Sequence, residues 1–159
     1  MIAIVDYGAG NLRSVRNALV HLGADVVTAS TPDDLAGAEK IVLPGVGAFG
    51  AGMRALRAAG FEQPLKERAA AGVPLIGICL GMQYLFEASD EMGQHTGLGL
   101  LPGRVTRFAA NGLKVPHTGW NQLQVRQSHP LLAGVADGAY AYFVHSYYVE
   151  AGDPADVLA

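Results

Sequence analysis

The sequence predicts an α/β fold: an open, doubly wound, mostly parallel sheet with helices on both faces and β-hairpins added in the C-terminal half. Three observations predict it. Short apolar runs recur as far as Cys79, each closed by glycine, proline or aspartate, which is how strands buried on both faces of a parallel sheet read. Between them lie segments with apolar residues at helical spacing, so strand and helix alternate. Beyond Gly97 the pattern changes to alternation and aromatics with short turns between them, the signature of hairpins.

Residues 2–5 form an apolar run ending at Asp6-Tyr7-Gly8 and read as the first buried strand. Residues 11–22 carry Leu12, Val15, Ala18, Leu19 and Leu22 at helical spacing, and Gly23 stops the helix. Residues 25–28 are a second strand, 32–35 a helical turn, and 40–43 a third strand that ends at Pro44-Gly45-Val46-Gly47. Residues 53–71 are helix-rich with a break near Gly60 and Pro64, residues 74–78 a fourth strand, and 81–88 a helix. Residues 104–108, 120–126 and 140–149 are the later strands. In an open parallel sheet, sites lie beyond the carboxyl ends of the strands. The loops there are 7–11, 44–50 and 77–81.

The chain has 159 residues, 50% hydrophobic and 16% charged. That charge is below the roughly 25% of soluble domains in general, and the hydrophobic content excludes global disorder. Lys plus Arg is 11 against 14 for Asp plus Glu, a formal charge of −3, so no basic excess exists to grip a phosphate backbone and no nucleic-acid partner is expected. A single cysteine excludes an intrachain disulfide. Glycine and proline are spread as punctuation, without repeats or a linker, so one domain is expected. The longest apolar stretch, residues 73–86, is interrupted by Gly77, Gly81 and Gln83 and is short of the roughly 20 residues a membrane helix needs. No basic segment precedes an apolar one at the start. A cytoplasmic protein with no membrane partner is expected.

Gly77-Ile78-Cys79-Leu80-Gly81 is the strongest local signal. A nucleophile on a sharp strand-to-helix turn needs small residues two before and two after it. Such a turn would lift the thiol to the end of the sheet and aim it at a helix N-terminus, where the dipole favours thiolate. The same pattern also fits a buried, inert cysteine. Pro44-Gly45-Val46-Gly47 could offer backbone amides to an oxyanion, or could be an ordinary turn. Gly8-Ala9-Gly10-Asn11-Leu12-Arg13 lacks the third glycine of a dinucleotide fingerprint and the acidic residue that should follow, so a turn capping the first helix is preferred. His21, His95, His117, His129 and His145 show no metal-ligand spacing, and no metal or other cofactor is expected. Spacing joins none of them to Cys79 as a base. Asp90 and Glu91, in the loop after the elbow helix, either touch substrate or solvate a surface, and the surface reading is preferred.

Taken together, Asp6-Tyr7-Gly8-Ala9-Gly10-Asn11-Leu12, Leu43-Pro44-Gly45-Val46-Gly47-Ala48-Phe49, Gly77-Ile78-Cys79-Leu80-Gly81-Met82-Gln83, Pro116-His117-Thr118-Gly119-Trp120-Asn121 and Tyr142-Phe143-Val144-His145-Ser146-Tyr147 resemble the class I glutamine amidotransferases. Within that family they are most similar to the glutaminase subunits of imidazole glycerol phosphate synthases, enzymes of histidine biosynthesis. The resemblance runs the length of the chain. It implies hydrolysis of glutamine to glutamate and ammonia, with ammonia passed to a cyclase subunit of (β/α)8-barrel fold in a heterodimer. It implies Cys79 as nucleophile, backbone amides of Val46 or Gly47 and of Leu80 as oxyanion hole, and Gln83 with main chain near Ser146 and Tyr147 as glutamine contacts. Asn11, Trp120 and Tyr142 would face the synthase partner.

The family's catalytic histidine and glutamate stand in a Phe-His-Pro-Glu segment, which this sequence lacks: His129-Pro130 is followed by Leu131. The expectation is a single amidotransferase domain over residues 1–159 with its C-terminal part missing, inactive by itself. Two alternatives are a catalytically dead docking subunit of the cyclase and another α/β hydrolase with a cysteine elbow.

Overall fold

A computed structural model describes residues 1–109 and 112–159. Four strands, β1 (Ile2–Val5), β2 (Val26–Ala29), β3 (Lys40–Gly45) and β4 (Leu75–Cys79), form an all-parallel sheet in the order β2-β1-β3-β4. Helix α1 (Leu12–His21) connects β1 to β2; α2 (Phe49–Ala58) and α3 (Glu62–Ala70) connect β3 to β4. Asn11 starts α1 by accepting the Ser14 N–H on its side chain at 3.2 Å, an N-cap that satisfies one otherwise unpaired helix amide. The break between α2 and α3 falls at Gly60, whose φ is +78°. Pro64 does not contribute to it, because it stands in the first turn of α3, where no helical N–H is needed.

Alternation along the strands divides the sheet into two faces. Ala3, Val5, Ile41 and Leu43 point into a core with Phe49, Met53, Leu56, Phe61, Leu65, Leu80 and Tyr84, so α2 and α3 cover that face. Leu19 of α1 shares a groove with Ile2, Val42 and Ile76 on the other. The helices therefore lie on both faces, as expected. On the α1 side the β4 end stays open, with Ile76 and Ile78 partly exposed.

The segment 81–88 differs from the predicted helix. Helix α4 is only Leu80–Gln83, and β5 (Phe86–Ser89) follows at once. Strand pairing outweighs the helical spacing here: β5 runs parallel to β7 (Leu101–Arg107) and antiparallel to β6 (His95–Thr96). Gly97 admits the close approach, since a Cβ there would sit 2.1 Å from the Phe86 carbonyl oxygen.

The predicted strand 120–126 is β8 (His117–Gln122), displaced toward the N-terminus. Backbone hydrogen bonds to Gly138 and Ala139 continue as far as Leu123, and the Val125 N–H then donates to Asp137 Oδ1 instead. The predicted strand 140–149 is two strands, β9 (Tyr140–His145) and β10 (Tyr147–Ala151), divided at Ser146. Strand β9 pairs with β8 as a hairpin, whereas β10 joins a mixed sheet of order β10-β7-β5-β6. Among the described residues no helix is long and apolar enough to cross a membrane.

Candidate functional site

Strands β3 and β4 end side by side, with Gly45 opposite Cys79. Cys79 has φ +56° and ψ −119°, a backbone state that costs an L-residue of order 1–3 kcal/mol and is tolerated where surrounding structure enforces it. The enforcement comes from the flanking glycines. A Cβ on Gly77 would lie 2.3 Å from Met82 Cα, and one on Gly81 would lie 1.9 Å from the Leu43 carbonyl oxygen. Gly45 is equally constrained, 2.5 Å from Gly81 N. Cysteine, strand end and helix start are thus locked together, and the thiol is exposed rather than buried. The expected helix-dipole contribution is small, because α4 has only four residues and few peptide dipoles align behind the thiol.

The oxyanion candidates flank this turn. Tyr7 Oη donates to the Pro44 carbonyl at 2.9 Å. The β1–β3 ladder ends at Ile4 and Val42, so on the β1 side this hydroxyl bonds where strand pairing has stopped, while Pro44 stays opposite Ile78 of β4. Gly10 packs against the Pro44 ring, its added Cβ 3.1 Å from Pro44 Cβ. The loop around Gly8 and Gly10 is therefore a turn that leads into α1 and braces Pro44, as preferred from the sequence. Gly47 has φ +92°, a conformation that favours glycine.

Cys79 opens into a cavity of about 320 Å³ lined by Gly47, Leu80, Gln83, Glu91, Pro116, Val144, His145, Ser146 and Tyr147. Of the residues expected there, Cys79, Gly47, Leu80, Gln83, Ser146 and Tyr147 are brought together. Val46 is half-exposed beside them and is not part of the lining.

For Glu91 the sequence favours the wrong one of its two readings. Rather than standing on the open surface it lines the cavity, and its Oε2 accepts the Phe49 N–H at 2.7 Å. That contact spans 42 positions and places negative charge at the start of the ten-residue α2. Ser89 Oγ accepts the Glu91 N–H at 3.2 Å. Asp90, by contrast, is a surface residue as expected: Arg104 and Gln94 bind it and hold its carboxyl below the usual range.

Trp120 and Tyr142 are cross-strand partners on the β8–β9 hairpin, both largely exposed, with ring centroids 5.6 Å apart. Asn11 stands at the cap of α1. Of the five histidines only His145 lines the cavity, and its Nδ1 is engaged by the Tyr147 carbonyl. No imidazole is hydrogen-bonded to the Cys79 sulfur among the described residues. Nor is there, among them, a group of three or more His, Cys, Asp or Glu able to hold a metal. The arrangement supplies a nucleophile, backbone amides beside it, an amide side chain and a carboxylate around a space fit for a small molecule.

Residues 3–158 match the family described as glutamine amidotransferase class-I. The chain is 54% identical over 159 residues to imidazole glycerol phosphate synthase subunit HisH of Desulfitobacterium hafniense (strain Y51), covering 100% of this chain and 74% of that protein. It is 51% identical over 158 residues to the subunit of the same name from Symbiobacterium thermophilum, with 99% and 74% covered. The solved structure of PurLQS from Thermotoga maritima is similar with a TM-score of 0.72 at 23% identity, over 96% of this chain and 70% of that one.

Proposed function

The chain belongs to the class I glutamine amidotransferase family, and from that premise we propose that it is the glutamine-hydrolysing subunit of an imidazole glycerol phosphate synthase, acting in histidine biosynthesis in the cytoplasm. The observation that carries this reading is Cys79 held at positive φ at the mouth of a cavity that also contains Gln83 and Glu91. Cys79 thiolate attacks the carboxamide carbon of glutamine. Amides of Gly47 or Val46 and of Leu80 take the developing oxyanion, each such donor being worth about 100- to 1000-fold in rate. The C–N bond breaks, ammonia leaves, and water then hydrolyses the glutamyl thioester to glutamate.

Gln83 and the main chain of Ser146 and Tyr147 hold the substrate. The carboxylate of Glu91 faces the α-ammonium group, a charge-assisted contact. Glu91→Gln is expected to raise KM for glutamine roughly tenfold to a hundredfold with a smaller effect on kcat, because the amide oxygen can still accept the Phe49 N–H. Equal KM values in the two proteins would remove Glu91 from the substrate.

Trp120, Tyr142 and Asn11 face a cyclase subunit of (β/α)8-barrel fold that consumes the ammonia, and enclosing the transfer keeps it from water. The 159 residues span 74% of the length of the relatives they match.

The rival reading is a docking subunit without glutaminase activity. Product formation with the cyclase present, driven by glutamine or by ammonium salt, separates the two. A glutaminase subunit is expected to sustain both; a docking subunit is expected to sustain only the ammonium-driven reaction. Failure of glutamine would leave the docking role alone.

A further inference from the structure

His145 is a half-buried group that the chemistry above does not use. It ends β9, and the next residue, Ser146, is the bend at which the chain passes from the hairpin to the mixed sheet. That bend borders the Cys79 cavity. Two contacts hold it from opposite sides. The Phe108 N–H donates to the Ser146 carbonyl at 3.0 Å, and His145 Nδ1 lies 2.8 Å from the Tyr147 carbonyl oxygen. A carbonyl only accepts, so the proton is on Nδ1. The ring itself is fixed by packing: Phe108 stands edge-on at 5.0 Å between centroids, with His117 at 5.5 Å and Phe143 at 5.7 Å. The donor is therefore aimed across the bend before any ligand arrives, and the contact survives protonation of the ring, since Nδ1 carries hydrogen in both states.

Resting on the reading of the site as a glutamine site, we propose that His145 is a positioning residue for that substrate. Its Nδ1–H bridges to the Tyr147 carbonyl and holds the Ser146–Tyr147 main chain in the shape that receives the amino-acid end of glutamine. It transfers no proton in the reaction.

The test is alkylation of Cys79 by two probes: a chloroketone analogue of glutamine that keeps the α-amino-acid end, and iodoacetamide, which lacks it. His145→Phe keeps a ring against Phe108 but removes the donor. It is expected to raise the half-saturating concentration of the chloroketone about tenfold while leaving the iodoacetamide rate within about twofold. His145→Asn, whose Nδ2 occupies the place of Nδ1, is expected to restore saturation, whereas His145→Gln is not. An unchanged half-saturation in His145→Phe overturns the proposal. So does an Asn variant as impaired as the Phe variant, or a parallel fall with both probes, either of which would make the ring a packing element only. If the unsubstituted protein shows no saturation with the chloroketone, the glutamine reading itself fails, a result distinct from all of these.

Discussion

Cys79→Gly and Cys79→Ala are both expected to abolish glutamine hydrolysis, by a factor on the order of 10⁴ or more, yet to differ in stability. At φ +56° and ψ −119° a side chain is strained and glycine is not. The glycine variant should be more stable than the alanine variant by about 1 kcal/mol, which moves Tm by roughly 2–4 °C for a chain of this size. Thermal unfolding of the two purified variants measures it directly. The comparison isolates the backbone, because both lack the sulfur. Equal melting temperatures would mean that the turn stores no strain, and the thiol would then owe its exposure to something other than the elbow.

Gly81→Ala is expected to damage the fold itself. The added methyl would stand 1.9 Å from the Leu43 carbonyl oxygen and 2.8 Å from its carbon, backbone atoms in the middle of a parallel sheet that cannot rotate away. Relief requires β3 and the elbow to separate, at a cost of about 3 kcal/mol, or roughly 6–12 °C in Tm. The oxyanion loop leaves the end of the same strand, so glutamine turnover should fall with stability. A variant that melts within a degree or so of the parent would show that the contact relaxes freely. Gly45→Ala meets a related obstacle at Gly81 N, so it too is a probe of packing.

The elbow was legible in the sequence because its determinants are local. An apolar strand, glycines two before and two after a cysteine, and a short helix all fall within a dozen positions, and each glycine answers to a measurable collision. The parallel sheet was legible for the same reason, since buried strands such as Ile2–Val5 are apolar throughout. Segment 81–88 reads as a helix because Met82, Leu85 and Phe86 stand at i, i+3 and i+4, although Phe86 is equally suited to a buried strand. Only pairing with Leu101–Arg107 distinguishes the two, and that partner is distant in sequence. The division of residues 140–149 at Ser146 was hidden likewise, since alternation continues across it while the hydrogen-bonding partner changes. The two readings of Glu91 are not separable in the sequence because its place is set by the amide of Phe49. A carboxylate after an acidic neighbour in a glycine-flanked loop has no local feature that separates a ligand from a solvated charge.

Accumulation of a glutamyl thioester on Cys79 tests the covalent chemistry most directly. The protein is mixed with glutamine, quenched in acid within the first turnovers, digested, and the peptide carrying Cys79 examined by mass spectrometry. A single glutamyl group on that sulfur, released by hydroxylamine and absent from Cys79→Ala, is the expected result. Glutamate and ammonia formed with no glutamyl group trapped on Cys79, or formed equally well by Cys79→Ala, would show that the thiol is not the nucleophile.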